Sequence, residues 1–368
     1  MKSALEALKS NLATDTYNVP DGWATKVNRN GEKIVADGLI HSLLVAKQPG
    51  EIEKASAFFR MYTLISITEE GKDKKVHPTM TQLNKFNEAV LGEIYEDFDP
   101  SQINQLSEIF VIITRSLRKS FSKIQASDIS YAPLVYWAPS DKSSPYLDEC
   151  PAEYYSGVAY KDQTPPLVLK RGDVRTKSVF LLQAHPKLNK LWYDYPLHVS
   201  DCLVGVGTFL PPSTMPLEDD NEIPVGTMSF LQEPACKCRV VANPALVVQA
   251  LGEPLKRKLQ EISKRTPGVY TFDQEAGRKL VSSWLDQELT CYAYDVSSFT
   301  DRFPAKLQYE LLKSYLEVGL INEFDLKVFD VCSKLGYYSD EHKKILHYET
   351  GGQPQGWGPS FHAAALTH

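Results

Sequence analysis

The sequence predicts an α+β protein whose N-terminal part is mostly helical. Three observations carry this. Up to about residue 130, apolar residues recur at helical spacing with charges on the remaining face, as in "EKASAFFRMYTLISI" and "INQLSEIFVIITRSLRKSF". At 239–265, "RVVANP" begins as a strand, turns at Asn243-Pro244 and runs on into a long amphipathic helix. At 290–298, "TCYAYDVSS" alternates aromatic and small residues as a buried strand does.

The elements follow in order. The opening "MKSALEALKSNLA" has helical spacing at Leu5, Leu8 and Leu12, lacks the apolar core of a signal peptide, and with Glu6 and no Arg makes a poor mitochondrial presequence. The Leu and Phe residues of the first 130 positions are expected in the core. From 131 to 230 prolines become frequent and apolar runs short ("PLVYW", "PLVLK", "SVFLLQ"), and "LPPSTMPLEDDNEIP" reads as a loop with a solvated acidic turn at Glu218–Asp220. After the helix that ends near Arg265, a Pro-Gly turn at 267–268 leads to the helix "FDQEAGRKLVSSWLDQEL". Past the aromatic strand, Pro304 opens a helix that buries Leu307, Leu311, Leu312 and Tyr315. "EFDLKVFDVCSKLGYY" forms another, ending at Gly336, and a glycine-rich loop leads to a last helix from Pro359.

Totals exclude several classes. The 368 residues are 43% hydrophobic and 23% charged, ordinary for a globular chain. A formal net charge of −6 gives no bulk argument for nucleic acid, so any basic surface is local. The longest aliphatic stretch, near "IFVII", is far short of a transmembrane segment. Cys150, Cys202, Cys236, Cys238, Cys291 and Cys332 lack zinc spacing and read as reduced thiols of an intracellular protein. His185, His198, His342 and His347 form no metal-binding pattern.

Three stretches carry chemistry. In "YDVSSFTDRFP" Asp295 closes the strand, where a carboxylate suits a hard cation, and Asp301 follows six residues on, past Ser297, Ser298 and Thr300. The alternative is that Asp301 caps the next helix, with Arg302 as a surface partner. In "EPACKCRVVANP" Lys237 and Arg239 share one strand face, as a triphosphate clamp or as charges guarding an exposed edge. Seven basic residues (Lys237, Arg239, Lys256, Arg257, Lys258, Lys264, Arg265) stand there against Glu253 and Glu261, a local excess of +5. In "GGQPQGWGPSF" the glycines at 351, 352, 356 and 358 permit close backbone approach before a helix N-terminus, where backbone N–H groups and Ser360 meet a sugar or phosphate; the alternative is a flexible surface loop. No Walker or dinucleotide fingerprint is present, which argues against an NTP-hydrolysing enzyme.

In this order the three stretches resemble the fingers and palm of viral RNA-dependent RNA polymerases of the narnavirus and mitovirus group. "EPACKCRVVANPALVVQALGEPLKRKL" is similar to that group's motif F, "YDVSSFTDRFP" to motif A, and "GGQPQGWGPSFHAAALTH" to motif B; "YTFDQ" at 270–274 matches a phrase between F and A. The likeness covers roughly 230–368. It implies a right-hand polymerase fold: 1–229 an N-terminal extension and part of the fingers, 230–290 fingers with motif F, 291–368 a partial palm with motifs A and B. It implies RNA-templated nucleotidyl transfer for viral genome replication, with Mg²⁺ (or Mn²⁺) on Asp295 and the Val296 carbonyl. Asp301 and Ser360 would select the ribose 2′-hydroxyl, and Lys237 and Arg239 would neutralise the triphosphate. Gly352, Gln353, Pro354, Gly356 and Gly358 would form the loop under template and nascent pair. Partners would be NTPs, single-stranded RNA template and nascent RNA; the compartment would be host cytoplasm or, alternatively, host mitochondrion. The rival class is a non-catalytic, polymerase-like RNA-binding protein, which needs the basic patch but neither aspartate.

Motif B departs from the family's usual form: Gln355 stands where Met is common, and Ser360 is the sole nearby hydroxyl. Motif C, the Gly-Asp-Asp hairpin with the second metal-binding acid, is absent. The expectation is therefore an incomplete polymerase or one half of a split palm completed by a second polypeptide, unable to polymerise alone.

Overall fold

The computed structural model describes residues 7–8, 19, 26–27, 33–34, 38–60, 77–92, 99–121, 181–182, 185–203, 223–233, 237–292, 294, 296, 298–348 and 351–368. They form a mixed α+β structure, mostly helical, with a four-stranded mixed sheet. The chain divides into two compact units: Met1–Pro78 with Phe230–Arg239, and Thr79–Ser229 with Val240–His368. The functional boundaries near 229 and 290 are of another kind and rest on the resemblance.

In the first unit β1 (Lys26–Val27) and β2 (Lys33–Ile34) pair antiparallel, with Lys26 opposite Ile34. Helices α1 (Gly38–Leu44) and α2 (Pro49–Arg60) follow. Leu8, Leu44, Ala55 and Phe59 bury together, which is what the helical spacing of the N-terminal sequence requires.

The second unit holds most of the described chain. Helix α3 (Met80–Val90) starts at a capping box, in which Thr79 and Gln82 satisfy each other's backbone N–H groups. Helix α4 (Pro100–Phe121) is the expected "INQLSEIFVIITRSLRKSF" helix. Leu181 and Leu182, read from sequence as part of a short apolar run, are buried in helical geometry. Next come α5 (Pro186–Asp194), capped by His185, and α6 (Pro196–Cys202). The runs "PLVYW" and "PLVLK" and the acidic turn at 218–220 lie outside the described residues.

Strands β3 (Gly226–Glu233) and β4 (Lys237–Pro244) lead to α7 (Leu246–Arg265), so the strand–turn–helix reading holds. Helices α8 (Gln274–Asp286), α9 (Phe299–Arg302), α10 (Ala305–Glu317) and α11 (Glu323–Cys332) follow. Then come β5 (Tyr337–Ser339), β6 (Lys344–Leu346) and α12 (Ser360–Thr367). On α10, Leu311, Leu312 and Tyr315 are buried as expected, while Leu307 is half-buried. The sheet order is β4-β3-β5-β6, with β3 parallel to β5 and β5 antiparallel to β6.

Two connections build the frame behind the site. Helices α4 and α10 pack side by side, with the Thr114 and Ser314 hydroxyls 2.9 Å apart in the buried seam. His342 bonds Ser339 through Nδ1 and Asn87 through Nε2, both at 2.8 Å, tying α3 to the β5–β6 hairpin.

The aromatic strand is corrected. The described residues of 290–298 are not a strand: Tyr292 and Tyr294 are 79% and 87% exposed, and Val296 is exposed with them. A strand buries its face only when neighbours pair with it. Among the described residues, no strand pairs here.

Candidate active site

The turn that carries Asp301 is built by local strain and short hydrogen-bonded cycles. Ser298 sits in the left-handed region, at φ 50°, which costs a non-glycine residue and marks a forced turn. From there a single helical turn forms, with Arg302 N–H donating to the Ser298 carbonyl at 3.1 Å and Phe303 N–H to Phe299 at 2.8 Å. Ser298 holds the cap position and Asp301 lies inside the turn. The helix that follows, α10, has Pro304 at its cap and no side-chain bond there, so Asp301 does not cap it. Its Oδ1 is buried, and burial raises the carboxyl to about 6. Burial, and after it the Asp301 carboxylate, push the nearby Tyr348 hydroxyl well above its usual range.

The glycine-rich loop is seated against this turn. Gln353 N–H donates to the Thr300 carbonyl at 3.0 Å, and Ala305 N–H donates to Gly351 at 2.8 Å. Gly352 lies so close that a Cβ there would run into the carbonyl of Asp301. The Gln353 side chain is fully buried and donates to Gln308 Oε1 and, at 3.0 Å, to the Ser360 carbonyl; Gln308 in turn donates to Phe303 O at 3.1 Å. The Ser360 hydroxyl is buried and donates to the Pro354 carbonyl at 2.9 Å, so a role at a ribose requires that bond to open.

The loop's other end is fixed to β4 and α7. Ala242 N–H donates to the Gln355 carbonyl at 2.7 Å, and Gly356, at φ 125°, lies against the Ala242 carbonyl. Gln249 clamps the loop twice, donating to Gly356 O at 2.8 Å and accepting from Gly358 N–H at 3.1 Å. Trp357 is buried, its Nε1 donates to Val248 O at 3.3 Å, and Gly252 leaves room for its ring. With Gly352, Gln353, Pro354 and Trp357 buried, this is no flexible surface loop.

The other expected site residues are placed as follows. Asp295 and Ser297 lie outside the described residues. Lys237 opens β4, and Arg239 is exposed further along it; both belong to the first unit, whereas Asp301 and the loop belong to the second. Among the described residues, strand β4 stands at the edge of the sheet. The basic run on α7 is largely neutralised. Glu253 holds Lys256 and Arg257 at 3.1 and 3.0 Å, and Glu261 holds Lys264 and Arg265 at 2.6 and 3.2 Å. Lys258 points inward to buried Asp325. The sequence reading missed Gln249, Gln308 and Trp357. The usable signal was a polar Gln249 between buried Val248 and Ala250, a position that needs a partner.

Among the described residues, no three His, Cys, Asp or Glu side chains converge on a metal position. A hard cation needs several oxygen ligands. Asp295, the expected carboxylate ligand, lies outside the described residues, so no step is routed through an ion.

Asp301 gives a stability prediction. Its proton is held to about pH 6 in the fold, against an ordinary value of 3.8. The stability this contributes is complete below pH 3.8 and lost as pH rises through about 6. At pH 7.5 the ionised carboxylate is a burden, and Asp301→Asn is expected to raise unfolding stability by about 1–3 kcal/mol. Urea unfolding at pH 4 and 7.5 checks this; the gain should vanish at the lower pH.

Comparison with known proteins places the chain among RNA-dependent RNA polymerases. Within that class it belongs to the mitovirus RNA-dependent RNA polymerase family, whose model matches residues 178–368, more than half of the chain. A relative, the RNA-directed RNA polymerase of Cryphonectria parasitica mitovirus 1 (strain American chestnut tree/New Jersey/NB631), is 30% identical over 148 residues. That match covers 40% of this chain and 17% of the relative's length. No solved structure matches. Among the described residues no helix is long and apolar enough to cross a membrane.

Proposed function

We propose that this chain holds the incoming nucleotide and template for RNA-templated RNA synthesis, as the fingers and partial palm of a right-hand polymerase. The observation that carries the reading is the loop at 351–359, bonded at one end to the turn of Asp301 and at the other to β4. In this reading the buried Asp301 carboxyl accepts from the ribose 2′-hydroxyl, and a site built around that bond rejects a sugar lacking it. Lys237 and Arg239 neutralise the triphosphate. Gly352 to Gly358 carry the nascent pair, with Ser360 keeping the loop's shape. Polymerases of this class use a divalent metal, for which Asp295 and the Val296 carbonyl are the proposed ligands. The partners are NTPs, template and nascent RNA. The family's tie to mitoviruses favours the host mitochondrion over the cytoplasm.

The sequence contains no Gly-Asp-Asp, so within this reading residues 1–368 supply motifs F, A and B, and turnover needs that acidic hairpin from another stretch of polypeptide. The test is templated nucleotide incorporation by the chain together with a polypeptide carrying Gly-Asp-Asp. Asp295→Ala should abolish incorporation and leave RNA binding intact. Incorporation undiminished by Asp295→Ala would leave a non-catalytic RNA-binding module as the better reading.

A further inference from the structure

Helix α4 is apolar on two opposite sides. The side with Ile103, Thr114 and Phe121 is buried, and Thr114 lies in the seam with α10. On the opposite side Ile109, Ile112 and Ile113 are 47%, 67% and 48% exposed. Gln105 and Ser116 continue that face. The Ser116 hydroxyl is spent inside the helix, donating to Ile113 O at 2.7 Å, so the face is less polar than its sequence. A helix with a second apolar stripe is built to be covered twice. Helix α4 also precedes the stretch 178–368 that the family model matches, and no polymerase motif falls on it.

The charges along the helix decide what fits. In sequence they run acid first and base after: Glu108, then Arg115, Arg118 and Lys119. The helix dipole does not explain the acid, because the first turn holds none. Glu108 and Arg115 are both exposed and lie on the same flank of the isoleucines, two turns or about 10.5 Å apart. Arg118 stands further round, away from the isoleucines. When two copies of one helix pair antiparallel about a two-fold axis, each flank meets its own counterpart. An axis near Ile112 therefore sets Glu108 of each copy beside the partner's Arg115, twice over. A parallel pair would set this flank against the other one, where Gln102 and Leu106 carry no charge. Arg115 also meets Glu317 of α10 at 3.4 Å, an exposed pair that leaves its guanidinium able to serve a second carboxylate. Glu310 of α10 accepts from Ser107 and from Lys313, and so is engaged within the fold.

We propose that the face of α4 formed by Ile109, Ile112 and Ile113 docks the same face of a second copy of this chain, in antiparallel register. The proposal goes beyond the polymerase reading and does not rest on it. One helix from each copy makes a small interface, so the dimer belongs to the weak, reversible class. A membrane surface would also take isoleucines, but it favours cations along the flank, and Glu108 stands against it.

The test is sedimentation velocity of the full chain from about 1 to 100 µM, in reducing buffer because Cys291 is exposed. Half-dimerisation is expected at about 10 µM. Ile112→Glu places two like charges at the axis and should leave a monomer throughout, with an unchanged melting temperature because the side chain is exposed. Glu108→Arg and Arg115→Glu should each weaken self-association about tenfold. A mixture of these two variants restores both opposite-charge pairs and should associate with about wild-type strength. A wild-type chain that stays monomeric at about 100 µM would overturn the proposal. So would a dimer that survives Ile112→Glu, or two charge variants that gain nothing on mixing. None of these results bears on the polymerase reading.

Discussion

Alanine at Gly352 or Gly356 is expected to unseat the loop, and alanine at Gly351 is not. The three glycines separate two causes. Gly351 has φ 78° and open space around a would-be Cβ, so alanine there meets only the backbone penalty of about 1 kcal/mol. Gly352 meets the Asp301 backbone, which cannot swing aside as a side chain can, and overpacking of this kind costs about 1–3 kcal/mol. Gly356 meets both penalties, a φ of 125° and the Ala242 carbonyl, for a combined loss of about 3–5 kcal/mol. Chemical unfolding of the three variants should rank them Gly356→Ala, Gly352→Ala, Gly351→Ala, from most to least destabilised. Equal losses would mean that the loop does not rest on these two backbones.

Lys258→Ala is expected to cost about 3–5 kcal/mol, the loss typical of leaving one partner of a buried ion pair alone. Asp325 is 2% exposed, accepts from Asn322 N–H at 2.9 Å in a capping box, and takes Lys258 as its charge partner. Removing the ammonium strands that carboxylate at the junction of α7 and α11. Lys264→Ala, whose pair lies toward the surface, should change stability by less than about 1 kcal/mol. Urea midpoints of the two variants decide the matter. If Lys258→Ala weakens nucleotide or RNA binding at unchanged stability, Lys258 belongs to the binding surface and not to the core.

Local signals carried much of the fold. Asn243-Pro244 marked the passage from β4 to α7, Pro304 and Pro359 marked the openings of α10 and α12, and the amphipathic spacing of 103–121 marked α4. The glycine loop was legible because only glycine fits where Gly352 and Gly356 touch backbone. What sequence could not carry were pairings set at a distance. "TCYAYDVSS" has strand texture, but burial depends on neighbours no local pattern reveals. The basic run from 237 to 265 looked like one patch because Asp325, its inward partner, lies far along the chain. Strand β3 went unread for the same reason: "GTMSFLQE" owes its strand to β4 and β5 more than to its own residues.

The most direct test of the central claim is equilibrium dialysis of the chain with GTP and with dGTP, in Mg²⁺ and with template RNA present. A buried Asp301 that reads the 2′-hydroxyl predicts GTP bound about tenfold tighter, a difference of about 1.4 kcal/mol. Asp301→Ala should then bring the two affinities together without abolishing either. Equal binding of GTP and dGTP by the unaltered chain, or a preference that survives Asp301→Ala, would contradict the account.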